Sequence, residues 1–162
     1  MLSLPLTDSG RYAAQGSGVT GGRTFGLLAR FRVLRQNGQL RIDGYAQAGS
    51  TEAPGAKHDF RLRLRFGTSI LAGGRFEYAD ERFKMLSGTL AWAEDCYLMA
   101  GHCYAPNASV SLHLLPGTVH NHYELRGLFS PAAGAPVSFA LSIAPDRTAR
   151  GLPAGDLAQL TT

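Results

Sequence analysis

Residues 60–66 read Phe-Arg-Leu-Arg-Leu-Arg-Phe, an unbroken alternation of apolar and basic side chains. A period of two places Phe60, Leu62, Leu64 and Phe66 on one face of a strand and Arg61, Arg63 and Arg65 on the other. The first face must be buried and the second must be wet. That pattern belongs to an antiparallel sheet with one solvated side, and it excludes a parallel sheet covered by helices on both faces.

The rest of the chain repeats the theme. Short alternating runs are cut by glycine, proline, asparagine and aspartate, and the 20 glycines and 8 prolines supply many turns. Strands are expected near 10–16, 25–35, 39–48, 58–66, 69–72, 75–79, 83–93, 109–115, 119–129 and 137–144. Only 76–86 offers an alternative helical reading. Asn37-Gly38, between Phe31-Arg-Val-Leu-Arg and Leu40-Arg-Ile-Asp, suits a two-residue hairpin with positive φ at both central positions. Leu115-Pro-Gly-Thr118 marks a second hairpin, and 49–57 and 131–136 read as loops.

Consecutive hairpins of this kind predict an all-β domain, an antiparallel β-barrel or β-sandwich of about eight to ten strands, meander-rich and with little helix. Residues 1–145 form that single domain. Residues 146–162 are expected to be a polar C-terminal tail, loosely held or a short helical turn. The expected core comprises Phe31, Val33, Leu40, Ile42, Phe60, Leu62, Leu64, Phe66, Leu90, Trp92, Val110, Leu112, Leu114, Tyr123, Leu125, Val137, Phe139, Leu141 and Ile143. No run approaches the length of a membrane helix. The opening Met-Leu-Ser-Leu-Pro-Leu-Thr-Asp has neither a basic segment nor a long apolar core, so a cytoplasmic protein is expected.

Charge is scarce and uneven. Charged residues make up 17% of the chain, and the positive ones are 14 Arg against 2 Lys. Residues 23–65 carry a net +6 and residues 76–96 a net −3. If 25–35 and 58–66 share a sheet, Arg30, Arg32, Arg61, Arg63 and Arg65 crowd one outer face. Such a face suits an acidic protein partner, because guanidinium forks pair with carboxylates. It equally suits a strand charged against unwanted edge pairing. Nucleic acid is disfavoured, since no exposed aromatics interleave with the basic residues and no nucleic-acid motif appears.

Five histidines are present, and three fall close together. With Leu115–Thr118 as the turn, His113 would lie opposite His120, with His122 diagonal on the same face. Three imidazoles around an open position could hold zinc or another divalent metal. A slip of one residue in the hairpin would split them between faces. Cys96 and Cys103 lack the spacing of a metal site and read as reduced thiols, with a disulfide as the alternative. There is no Gly-x-Ser-x-Gly elbow, and the glycines at 16–22 lack the strand-loop-helix setting of a phosphate loop.

No catalytic constellation emerges. The leading expectation is therefore a non-enzymatic interaction protein that engages an acidic partner through its arginine face and needs no cofactor. A barrel binding a small apolar ligand in its lumen is the alternative. A metal-dependent enzyme built on the histidine hairpin is the third.

Overall fold

The computed structural model describes residues 9–37, 39–49, 54–67, 73–80, 86–93, 96–104 and 107–146. They form ten antiparallel strands: β1 (Gly10–Thr20), β2 (Arg23–Gln36), β3 (Gln39–Gly49), β4 (Pro54–Phe66), β5 (Gly74–Asp80), β6 (Leu86–Ala93), β7 (Cys96–Tyr104), β8 (Asn107–Pro116), β9 (Tyr123–Pro131) and β10 (Val137–Pro145). Each strand pairs with its neighbours in sequence, and β1 also pairs with β10, closing a barrel. An up-and-down meander with an even strand count brings its first and last strands together antiparallel. No edge is left to recruit another chain. Among the described residues there is no helix, so none is long and apolar enough to cross a membrane. Gly74–Asp80 is a strand and Leu86 opens the next, which sets aside the helical reading for 76–80 and Leu86; residues 81–85 of that reading lie outside the described residues.

Turn chemistry fixes the register. Gln36 pairs with Gln39 around a two-residue turn in which Asn37 has φ 51°. Thr20 pairs with Arg23 around Gly21 and Gly22, whose φ values are 55° and 77°. Positive φ at the centre of such turns matches the right-handed twist of the flanking strands.

Period-two alternation then sorts every strand into an inner and an outer set. In β4 the inner set is His58, Phe60, Leu62, Leu64 and Phe66, and the arginines point outward. All nineteen expected core residues turn inward. The tightest packing surrounds Val33, Leu40, Ile42, Leu64, Phe76, Leu90, Tyr97, Met99 and Leu114, each no more than 4% exposed. Each large apolar side chain so buried contributes about 1.5–3 kcal/mol.

β7 is a strand the sequence reading missed. It places Cys103 inward and Cys96 outward, on opposite faces of one strand, and neither is in a disulfide. The expected strand at 69–72 and the tail from residue 147 onward lie outside the described residues.

Candidate functional site

The two ends of the barrel differ. One end carries the 37–38, 67–73, 94–95 and 117–122 connections, and there the inner side chains close on one another. Trp92 and Phe66 both set edge-to-face against Tyr97, at 4.6 and 5.7 Å between ring centroids. The Tyr97 hydroxyl is buried without a hydrogen-bond partner, and burial raises its pKa well above the ordinary tyrosine range.

Toward the other end the inner side chains pack less closely. Phe25, Leu27, Val137 and Phe139 face the barrel axis yet are only half-buried, and Val110, Leu125, Phe129 and Leu141 pack against the core while part of their surface stays exposed. Ala48 also faces inward and is exposed. An inward side chain that still touches solvent lines open space inside the wall. The composition explains why. Ten strands enclose a wider bore than the eight that side chains can just fill. Many inner positions are also small: Ala14, Gly16, Gly18, Ala29, Gly44, Ala46, Gly101 and Gly127. Of the bulky side chains that could fill a narrow barrel, Phe66 and Trp92 pack at the closed end, while Phe60 and Phe139 are only half-buried along the bore.

Several rings lie along the wall because glycine lets them. A Cβ on Gly127 would meet the Phe139 ring, and a Cβ on Gly18 would meet the Phe25 ring. On β3, a Cβ on Gly44 would strike Phe31. With no side chain there, Phe31 on β2 reaches Phe60 on β4 across the gap, at 6.3 Å and edge-on. Tyr12 stacks on Phe31 at 5.7 Å, and Phe60 stacks on Tyr78 at 6.0 Å. A continuous aromatic row thus runs from β1 to β5 along the inner wall. Offset and edge-to-face contacts of this kind add about 0.5–1.5 kcal/mol each beyond area burial.

The rim of the open end is polar. Arg23 and His58 face inward there and are exposed. Asp80 stands opposite Phe60 on the inner side and accepts a hydrogen bond from the Tyr78 hydroxyl at 2.9 Å. An apolar bore with a few polar groups at its mouth is the general form of a small-molecule site.

The histidines do not converge. β8 continues to Pro116, which pairs with Tyr123, so the β8–β9 connection is residues 117–122. His113 lies opposite Arg126, and His120 and His122 sit in the connection. That connection is held by its own bonds. Gly117 N–H donates to the His122 carbonyl at 2.7 Å, and His122 N–H donates to the Val119 carbonyl at 3.1 Å. His122 Nδ1 lies 3.0 Å from the His120 carbonyl, a donor's position. Asn121, with φ 60°, is buried and closes the turn. Among the described residues no three His, Cys, Asp or Glu side chains are grouped to hold a metal ion. The expected pairing of His113 with His120 is therefore corrected, because the strand runs on through Pro116 and the chain reverses only over 117–122.

The arginine face forms, with β3 lying between β2 and β4. Arg32, Arg61 and Arg65 are exposed and Arg63 half-buried, all on the outer wall. Arg30 differs. Its side chain is 28% exposed and forms an ion pair with Asp146 at 3.6 Å. Its Nε and Nη1 are out of contact with solvent and make no hydrogen bond. It packs opposite Tyr45, whose pKa is raised mainly by burial, against the lowering pull of Arg30, with Asp146 adding to the rise. Arg30 thus serves the wall rather than the exposed set. On the opposite side of the barrel, an open groove of about 430 Å³ crosses the outer surface of β8, β9, β10 and β1 between Val19, His113, Arg126 and Leu128.

A scan against protein-family models finds no match, and a search of curated proteins finds no similar sequence. Among solved structures, the chain is similar to the S-type phycobiliprotein lyase CPES from Guillardia theta, with a TM-score of 0.63 and 8% sequence identity. The match covers 86% of this chain and 88% of that one. At this identity the likeness is one of fold.

Proposed function

We propose that this protein is a small-molecule-binding β-barrel that takes one elongated, largely apolar ligand into the open part of its lumen. The observation that carries this reading is the set of inward apolar side chains that remain half-exposed, with Phe25, Leu27, Leu125, Phe139 and Leu141 as the lining. In a filled barrel these residues would be as buried as Val33 and Leu40, at 0% and 1%. Phe60 and Tyr78, the half-buried end of the aromatic row, offer an edge against which a flat, conjugated group can pack. Asp80 and His58 at the rim suit a ligand whose polar end carries hydrogen-bond donors. The similarity in fold to a phycobiliprotein lyase supports a binding barrel over a purely structural one.

The test is binding of the neutral apolar dye Nile red, whose lack of charge removes any pull from the surface arginines. The wild-type protein should bind it with a blue-shifted emission. Ala48→Trp fills the mouth without touching the tight core, and it should weaken binding at least about tenfold, which is 1.4 kcal/mol. Equal affinity in the two proteins, with melting unchanged, would remove the lumen as the site.

A further inference from the structure

Three pairs of arginines stand directly opposite one another on the outer wall: Arg11 with Arg32, Arg41 with Arg63, and Arg65 with Arg75. Side chains so placed on neighbouring strands sit within about 4.5–5.5 Å at Cβ, and like charges at that distance destabilise a sheet. Opposite charges also meet on this wall, with Asp43 between Arg32 and Arg61 and Glu77 opposite Arg63, but these acids are outnumbered by the arginines around them. Across β1–β5 the three pairs, Arg30, Lys57 and Arg61 share the surface with Asp43, Asp59 and Glu77, so this one face holds more positive charge than the net +4 of the whole chain. Arg41 bonds Asp43 at 2.9 Å. Among the described residues no ion pair joins Arg32, Arg61, Arg63, Arg65 or Arg75 to an acid.

We propose that the outer face of β1–β5 is the docking surface for an acidic protein. The occupant follows from charge complementarity and side-chain type. Guanidinium forks match carboxylates in paired hydrogen bonds, and arginine is enriched at protein interfaces, where lysine is depleted. Leu34, 39% exposed, stands in the same row as Arg41 and Arg63 and supplies an apolar contact at the centre of the patch. Among the described residues of this face the exposed large hydrophobic side chains are Leu34 and Val19, far apart and both aliphatic, so the face lacks the contiguous apolar wedge that inserts into a bilayer and the aromatic platform that stacks on single-stranded nucleic acid. The surface lies on the wall's outside, so docking leaves the mouth of the lumen free. This inference goes beyond the ligand-binding reading and stands without it.

The experiment uses a synthetic helical peptide of repeating Glu and Leu, titrated into isotope-labelled protein at low salt and at 0.5 M salt. Amide shifts should concentrate on the outward residues of β2–β5, and binding should fade at high salt. The double variant Arg63→Glu, Arg65→Glu should weaken binding at least about tenfold while leaving Nile red binding unchanged. The pair Arg63→Gln, Arg65→Gln should weaken it less and remain folded. Shifts spread over the other faces, or unchanged affinity in both variants, would overturn the proposal. Tighter binding to phosphatidylserine vesicles or to single-stranded DNA than to the peptide, at matched salt, would overturn the choice of a protein partner.

Discussion

Arg65 on β4 and Arg75 on β5 face each other across the outer wall, two positive charges in direct cross-strand register. Removing one of them should stabilise the fold. Arg75→Gln, whose neighbour on β6 is the neutral Thr89, is expected to raise the unfolding free energy by about 0.2–1 kcal/mol at low salt, the range for cross-strand pairs. The gain should shrink at 0.5 M salt, where the Debye length falls below about 5 Å. Urea unfolding at the two salt concentrations measures it. A loss of stability at low salt would mean that the guanidinium packs favourably and that repulsion is negligible.

Tyr97 should make the protein sensitive to alkali. Burial raises its pKa, so the folded state resists losing a proton that the unfolded chain gives up near pH ~10. Its contribution to stability is whole below that pH and declines as pH rises beyond it. Tyr97→Phe removes a hydroxyl that has no partner, which leaves stability at pH 7 equal or higher by about 1 kcal/mol. It should also flatten the alkaline decline. Melting temperature against pH from 7 to 11 checks both, and a Phe variant with the wild-type slope would refute the assignment.

Gly127 holds Phe139 against the wall. A methyl group placed there would meet the Phe139 ring and the Leu112 side chain. Gly127→Ala should cost about 1–3 kcal/mol by overpacking. The displaced ring should also narrow the lumen and lower the affinity for Nile red. Stability and dye binding measured on the same sample test the two effects together.

The two cysteines should report the wall's two sides. Cys103 faces inward and is 3% exposed, whereas Cys96 faces outward and is half-buried. A thiol reagent is expected to modify Cys96 in the folded protein and Cys103 only after unfolding. Equal rates at both sites would contradict the strand register of β7.

Much of this architecture is written in the parity of the sequence. The alternation of Phe60–Phe66 assigns inner and outer faces correctly, and Asn37-Gly38 locates its hairpin to the residue. β7 escapes because Tyr97-Leu-Met-Ala-Gly-His lacks alternation: outward Leu98 and Ala100 are as apolar as inward Met99. The histidine register fails for a different reason. Pro-Gly suggests a tight reversal after Leu115, but the chain reverses later through Asn121, whose positive φ closes the loop instead. The partial exposure of the inner wall is legible only in retrospect, as a series of inner glycines and alanines. Their meaning depends on which residues face them across the bore, and no local pattern contains that. The clash of Arg65 with Arg75 needs register across two strands, which the charge count along the chain does not supply.

The most direct test of the lumen is intermolecular NOE spectroscopy between bound Nile red and the methyl groups of the protein. A ligand held inside the barrel requires contacts to Leu27, Leu125, Val137 and Leu141, which line the bore. Contacts confined to Val19 and Leu128, which lie on the outer groove of β8–β1, would contradict it.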